Sequence, residues 1–470
     1  MMSTIMKFGG TSLADTTAFE RVCEIVGAHS AAHPVVVASA MSRVTDALLE
    51  SVERAVEGQA IEAAHFLDQH FERHLRVAHA LLTEETRAAF EVTIDNARRE
   101  ISELLKTVAA DSMPRPVLQD IIVSYGERLS ANLLAAVLFE AGLPALYVDA
   151  RHCIVTTAEH GRAEPLAEET ARRSHAELQS IIEARRIPVL GGFIGASVDG
   201  LTTTLGRGGS DYTAALIGAA LSAREIQIWT DVSGVLTADP RVVKGSRTIP
   251  RMSYAEAAEL AYFGAKVLHP KTIQPAVEGR IPVRICNSRA PQDAGTLVGS
   301  ETEMSPRTVK AIAHKTGITI VQISSARMLG AYGFLHAIFD IFNRHRTVID
   351  VVTTSEVSVS LSLDDASALP AIVSELKQLG AVQVEQPRAI ICIVGEGLRD
   401  TPGIAARIFN SLSDINISLI SQGASSINLT FVVTEDDLHE AVNRLHATFF
   451  ESDKAEACET ELLETSETAR

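Results

Sequence analysis

Five short apolar runs, each followed at once by small or polar residues, constrain this chain more than any other feature. Thr4-Ile5-Met6-Lys7-Phe8 leads into Gly9-Gly10, and Val35-Val36-Val37 into Ala38-Ser39-Ala40. Ile121-Ile122-Val123 leads into Ser124-Tyr125-Gly126-Glu127, Ile187-Pro188-Val189-Leu190 into Gly191-Gly192-Phe193, and Ile226-Gln227-Ile228-Trp229 into Thr230-Asp231. Longer stretches with helical periodicity separate them, which predicts an α/β fold: a mostly parallel open sheet with helices on both faces. From Ala47 to Ala110 an Ala/Glu/His/Leu stretch predicts a helical hairpin over that sheet, ended by Pro114 and Pro116. Within it His70 and His74 have i,i+4 spacing but no third metal ligand nearby, so they read as part of a solvated helix face.

Farther on the pattern changes. From Asn287 to Arg307 it loosens into Pro, Gly, Ser and Thr, as a linker would. Beyond that an internal repeat emerges: Ile338-Phe339 and Ile408-Phe409 lie 70 residues apart in amphipathic stretches. The alternating runs that begin at Ser355 and Ser425 share the same offset. Each unit reads strand, turn, helix, strand, strand, helix and a final strand, so two small α+β modules stand in tandem.

Charge and cysteine content exclude several functions. Lys plus Arg number 42 against 59 Asp plus Glu, a net charge of −17, which argues against a backbone-tracking nucleic-acid binder. A site for an anionic ligand must then be assembled locally from a few cations. Five cysteines at 23, 153, 286, 392 and 458 form no Cys-x-x-Cys pair, which points to free thiols in a reducing compartment. The N-terminus has no charged n-region and apolar h-region, and no run of about 18 uninterrupted apolar residues occurs. A cytoplasmic protein that does not enter the membrane is expected.

Open α/β sheets bind ligands at the carboxyl ends of their strands. The residues there are Lys7, Gly9 and Gly10, then Ser39 and Thr45, Glu127, Gly192 and Phe193, and Thr230 and Asp231. Turn glycines admit an anion close to backbone N–H groups, and Lys7 adds a point charge suited to phosphate. Taken singly, Gly9-Gly10 reads equally well as a tight turn. Sharper is Thr203-Thr204-Leu205-Gly206-Arg207-Gly208-Gly209-Ser210-Asp211, where glycines hold one Arg before a helix capped by Ser210 or Asp211. A guanidinium so placed makes a bidentate clamp for carboxylate or phosphate. Arg241 after Asp239-Pro240 and Lys266 before Pro270 supply two further cations. The chain has no Gly-x-x-x-x-Gly-Lys-Ser/Thr, Asp-Phe-Gly or His-Arg-Asp, which excludes P-loop and protein-kinase chemistry, and Gly-x-Gly-x-x-Gly fails at Asp400.

Taken together, Lys7-Phe8-Gly9-Gly10-Thr11-Ser12, the Arg207 loop, Trp229-Thr230-Asp231-Val232 and Phe263-Gly264-Ala265-Lys266-Val267-Leu268-His269-Pro270 resemble aspartate kinase. The likeness runs from Met6 to about Phe450, and Val352 to Val359 resembles the effector strand of the monofunctional lysine-sensitive type. It implies an amino-acid-kinase domain over residues 1–300, two ferredoxin-like ACT domains over 312–387 and 388–452, and an acidic tail over 453–470. The implied reaction is ATP-dependent phosphorylation of L-aspartate to 4-phospho-L-aspartate.

Carried onto matching positions, Lys7, Arg207 and Asp211 are catalytic. Ser39, Thr45, Glu127, Phe193, Arg207 and Ser210 bind aspartate. Lys7, Gly9, Gly10, Thr230, Asp231, Leu236, Arg241 and Lys266 hold ATP, with Leu236 standing where the bacterial pattern has Tyr. Mg2+ rides on the phosphates, with no protein metal site. Met328, Phe334, Leu335, Asp350, Ser355 and Glu356 match a lysine effector pocket, and two carboxylates suit a ligand with two ammonium groups. ACT pairing implies a homodimer or a dimer of dimers. Two rival readings are a kinase of a related acid such as glutamate, and a silent amino-acid sensor that uses only its ACT modules. The Glu127/Arg207 pair argues against the first and the retention of Lys7, Arg207, Asp211 and Lys266 against the second. After the second module little chain remains for a fused dehydrogenase.

Overall fold

In the computed structural model, residues 2–264, 268, 270–300, 308–330, 332–423 and 425–451 are described. They divide into two compact units, one from Met1–Val235, Pro250–Tyr254 and Val267–Thr302, the other from Leu236–Ile249, Ala255–Lys266 and Glu303–Arg470.

In the first unit the strands are β1 (Thr4–Phe8), β2 (Pro34–Ala38), β3 (Ala145–Val148), β4 (Val155–Thr156), β5 (Ile187–Gly191), β6 (Ile194–Ser197), β7 (Thr202–Thr204), β8 (Glu225–Thr230), β9 (Arg251–Ser253), β10 (Val283–Asn287) and β11 (Thr296–Gly299). Eight of them form one sheet in the order β3-β5-β2-β1-β8-β10-β11-β9, parallel throughout except for the β10/β11 pair. A side sheet runs β4-β6-β7. Part of the expected linker is therefore strand: Thr296–Gly299 pairs with Val283–Ile285, which periodicity could not reveal in a four-residue element. Residues 301–307 lie outside the described residues.

Strand parity assigns the faces. Met6 and Phe8 join a large core with α1 (Thr16–Ala28), α2 (Val44–Val56), α3 (Ala60–Leu81), α4 (Glu84–Ala109) and α5 (Arg115–Glu140). Ile5 and Lys7 point to the opposite face. There α7 (Gly209–Ala220) packs so closely that a Cβ on Gly218 would lie 2.7 Å from Ile226 and 3.6 Å from Ile5. Helices α6 (Ala167–Glu183) and α9 (Pro270–Glu278) complete this unit's helices.

Two expectations are corrected here. Ile121-Ile122-Val123 is not a strand but the second turn of α5, which Pro116 opens and which runs for 26 residues. Short apolar runs do not distinguish a buried strand from a buried helix, and α5 is buried on nearly every side. It is the one helix among the described residues long and apolar enough to cross a membrane, yet 78% of its apolar window is buried within the protein. Nor does His74 belong to a solvated face. It is 1% exposed, its Nδ1–H donates to the His70 carbonyl at 2.8 Å, and Nε2 has no partner among the described residues. The two histidines line a small void with Phe71, Tyr125 and Gly126, and no group of three metal-ligating side chains occurs among the described residues.

The second unit contains α8 (Tyr254–Tyr262) from its second residue on. Its strands β12 (Ala311–Ser324), β13 (Val352–Thr354), β14 (Ser358–Leu363), β15 (Ala381–Val394), β16 (Leu419–Gln422) and β17 (Asn428–Thr434) make one antiparallel sheet, β13-β14-β12-β15-β17-β16. Helices α10 (Phe334–Arg344), α11 (Leu369–Leu376), α12 (Ile404–Asn410) and α13 (Glu435–His446) cover two cores. One gathers Val321, Ile338, Phe342, Leu361 and Leu376, the other Ile391, Ile408, Phe431, Leu438 and Val442. The repeat read from the sequence is present, but the modules interlock. β12 and β15 are each 14 residues long and belong to both, and the register breaks between Lys315 and Ile318. The last strand of the second module is Ala311–Lys315, which precedes the first module in the chain.

Burial pushes His74 from the usual histidine value down to about 4. The unfolded chain takes up this proton near pH 6.5 and the folded chain only near pH 4, so stability falls as pH drops through that window. Replacing His74 with Leu is expected to flatten the loss of stability between pH 6.5 and 4, by roughly 3 kcal/mol at the low end, as read from denaturant unfolding in a pH series.

Candidate active site

At the carboxyl ends of β1, β2, β5 and β8 lies a cavity of about 720 Å³. Lys7, Gly9, Gly10, Ser39, Thr45, Glu127, Phe193, Arg207, Ser210, Asp211, Thr230 and Asp231 all line it. Twelve positions spread over 225 residues of sequence thus meet in one space, all within the first unit.

Lys7 arrives there by parity. It follows Ile5 on the α7 face at the end of β1, in register with Val37 and Ile228. Asp211 stands in the first turn of α7, and the two form an ion pair with Nζ 2.7 Å from Oδ1. Their side chains are 12% and 17% exposed, so this pair is screened less than a surface pair. The cap of α7 is Gly208, not Ser210 or Asp211 as the sequence suggested; Gly206 and Gly208 have φ of +73° and +76° on either side of Arg207. That left-handed backbone, open to glycine without strain, turns Arg207 into the cavity mouth and leaves Ser210 and Asp211 inside the first helical turn. Gly9 does not offer its N–H to an anion, because that group donates to the Trp229 carbonyl at 3.0 Å.

Glu127 reaches the cavity from α5. The Ala40 N–H donates to its Oε1 at 3.3 Å, while buried Oε2 has no partner among the described residues. Desolvation pushes its carboxyl up to about 8, only partly countered by backbone N–H groups. A carboxylate held under that penalty is a receptor for a cation that can follow it out of water. Phe193, whose N–H the Thr213 hydroxyl accepts at 3.0 Å, holds φ of +65°. Such a backbone costs of order 1 kcal/mol in a non-glycine residue.

Sequence reasoning missed Arg43, Asp46, Asp120 and Thr204, which also line the cavity. Arg43 has a left-handed φ of +68°, in a turn braced by Arg73, whose guanidinium donates to the Ser42 and Ala14 carbonyls. Asp120 carried one signal, a charge inside an apolar helix two turns before Glu127.

Two nucleotide-site candidates, Leu236 and Arg241, belong to the second unit. Leu236 bridges to Thr248, and Arg241 is 83% exposed with its guanidinium on Asp239 at 2.6 Å. Lys266 lies outside the described residues. Of the effector candidates, Met328 ends a 3-10 turn, Phe334 and Leu335 open α10, and Asp350 accepts from the Tyr262 hydroxyl at 2.5 Å. Ser355 closes the β13–β14 turn, accepting from the Ser358 N–H, and Glu356 is exposed beside it. The Ser325 N–H donates to the Val357 carbonyl at 2.8 Å, which ties the Met328 loop to that turn.

A lysine–aspartate pair at the end of a parallel strand, a glycine-flanked arginine and a buried carboxylate with one unpartnered oxygen line the same cavity. The amino acid kinase family matches residues 2–287, and the ACT domain family matches residues 391–449. Lysine-sensitive aspartokinase 3 of Escherichia coli (strain K12) is 38% identical over 95% of this chain and 99% of its own. The chloroplastic aspartokinase 3 of Arabidopsis thaliana is 38% identical over 97% of this chain and 83% of its own. The crystal structure of E. coli aspartokinase III in complex with aspartate and ADP (R-state) superposes with a TM-score of 0.80 at 37% identity, covering 95% of this chain and 100% of that one. Its complex with lysine and aspartate (T-state) matches with the same TM-score and identity, over 95% and 99% of the two chains. The chain belongs to the aspartokinase family.

Glu127 bears a stability cost that its neutral isostere avoids. The folded carboxyl holds its proton up to about pH 8 and the unfolded one only to about 4.5, so ionisation opposes folding as pH rises through that interval. Glu127→Gln is expected to raise Tm at pH 8–9 by roughly 5 °C and to leave it unchanged near pH 4, as read by calorimetry.

Proposed function

We propose that the chain transfers the γ-phosphoryl group of ATP to the β-carboxylate of L-aspartate, with 4-phospho-L-aspartate and ADP as products. The observation that carries this reading is the unpartnered oxygen of buried Glu127 in the same cavity as the glycine-flanked Arg207. An α-amino acid bears an ammonium and a carboxylate on one carbon. Glu127 takes the first, Arg207 the second, and Ser39, Thr45, Phe193 and Ser210 surround them. Entry of the ammonium removes the penalty on ionised Glu127, so binding and deprotonation reinforce each other.

No protein nucleophile is needed. A β-carboxylate oxygen attacks the γ-phosphorus, the bond to the β,γ-bridging oxygen breaks, and that oxygen leaves on ADP. Lys7 neutralises charge on the moving phosphoryl group, and Asp211 holds its ammonium in place. Gly10, Thr230 and Asp231 flank the nucleotide, while Gly9 shapes the turn. The roles of Leu236, Arg241 and Lys266 rest on the family resemblance alone.

The cavity is lined by three Lys or Arg and five Asp or Glu residues. Its own charge therefore does not neutralise a triphosphate. Mg2+ would reach the site on the phosphates, and Asp211 and Asp231, which line the same cavity, would be carboxylates able to hold it. Bound there, the ion screens the phosphate charge.

Lysine is the effector in this reading, held by Met328, Phe334, Leu335, Asp350, Ser355 and Glu356. The lysine sensitivity of the E. coli relative supports it. So does the exposed apolar surface at Leu329, Leu335, Phe339, Val348 and Val352, which a second copy would cover in a homodimer or a dimer of dimers. The cytoplasm is the proposed compartment, in keeping with four buried or half-buried free thiols among the described residues.

The test is ADP release with ATP, Mg2+ and L-aspartate, with and without lysine or threonine. Aspartate-dependent turnover suppressed by lysine but not by threonine is expected. Turnover indifferent to lysine would remove the effector assignment, and lysine binding without turnover would favour a sensor. Lys7→Ala is expected to lower kcat at least about 100-fold with little change in the KM for aspartate. Arg207→Ala is expected to raise that KM by about 10-fold or more. Initial rates across an aspartate series separate the two effects.

A further inference from the structure

Asp120 stands seven residues before Glu127 on α5, so both carboxylates leave the same face of the helix. It is 1% exposed. Three residues from outside α5 converge on it. The Thr204 hydroxyl donates to Oδ1 at 2.6 Å, the Gly161 N–H reaches Oδ1 and Oδ2 at 3.2 and 3.0 Å, and His160 Nδ1 lies 2.9 Å from Oδ2. Thr204 ends β7, an edge strand of three residues whose one strand partner among the described residues is β6. His160 and Gly161 belong to the turn between β4 and α6, which the Ala163 N–H fastens to the Thr204 carbonyl at 3.0 Å. Gly206 lies above this turn, with space for a Cβ 3.6 Å from the Gly161 carbonyl oxygen.

We propose that Asp120 is a positioning residue of the amino-acid subsite: it clamps the strand end that carries the Arg207 loop onto the helix that carries Glu127. It thereby sets the separation between the group that takes the substrate ammonium and the group that takes its α-carboxylate. This rests on the reading of Glu127 and Arg207 given above. The physical case is one of restraint. Arg207 lies three residues past the end of a three-residue edge strand, between two left-handed glycines, where the backbone has the most conformational freedom to lose. A buried carboxylate costs free energy unless several donors satisfy it. At Asp120 those donors come from the two segments that frame Arg207, so the bonds that offset burial also register the loop. Misplacement by about 1 Å weakens a two-point clamp far more than a diffuse contact.

The experiment compares wild type, Asp120→Ala, Asp120→Asn and Thr204→Val in the ADP-release assay, with melts to establish folding. Asp120→Ala is expected to raise the KM for aspartate about 10-fold or more, with the KM for ATP and kcat at saturating aspartate within about twofold of wild type. Asparagine keeps an acceptor oxygen for Thr204 and Gly161 and should restore most of the loss. Thr204→Val should raise the aspartate KM by a smaller factor and add little when combined with Asp120→Ala, because both break one clamp. If the alanine variant does not fold, Thr204→Val carries the comparison alone, with a raised aspartate KM and an unchanged ATP KM expected. An unchanged aspartate KM, an equal rise in both KM values, or additive effects would overturn the proposal. Wild type without aspartate-dependent turnover would instead overturn the proposed function, so the two failures are distinct.

Discussion

Helix α5 lies buried against both the sheet and the helical layer, and a helix so enclosed cannot carry charge without a partner or a purpose. It carries two carboxylates toward the cavity, and they resolve the problem in opposite ways. Asp120 is satisfied by donors from two other segments. Glu127 is left with one oxygen unpartnered, and its carboxyl rises to about 8. The first arrangement spends burial on rigidity. The second keeps an unmet demand for positive charge inside the cavity. Because both sit on one rigid helix, the satisfied carboxylate can serve as the reference point for the unsatisfied one.

The sheet adds the phosphate side by strand parity. A period of two sends Met6 and Phe8 into the core and Ile5 and Lys7 toward α7, where Asp211 waits in the first helical turn. In a chain of net charge −17, cations at a site for anions have to be pinned one at a time. Lys7 is pinned by an ion pair and Arg207 by flanking glycines, while Arg43 sits in a strained turn that Arg73 braces. Acidity elsewhere on the surface is no obstacle, since exposed charges beyond a Debye length of about 8 Å are largely screened at physiological salt.

The regulatory unit follows a different rule. Two strands of 14 residues run through both modules, and the second module is completed by Ala311–Lys315 from ahead of the first. Neither module can then separate from the other without losing sheet hydrogen bonds, which makes the pair one mechanical body. The Ser325–Val357 bond ties the loop of Met328 to the turn of Ser355 and Glu356 within it.

Much of this was legible in local sequence because it is locally encoded. Lys7 as the fourth residue of its strand and Arg207 between glycines depend on periodicity and turn chemistry within about ten residues, and each stands where the pattern puts it. What failed had ambiguous local signals. Ile121-Ile122-Val123 is equally apolar as strand or helix, and an i,i+4 histidine pair says nothing of which side of its helix is buried. The sequence by itself determined the element alternation, the chemistry waiting at the strand ends and the family. Only the tertiary structure decided that His74 is interior, that the N–H of Gly9 is already taken, and that Asp120 meets Thr204 across 84 residues. Those outcomes depend on contacts between distant segments, whose energies arise only when the chain has closed on itself and water has been excluded.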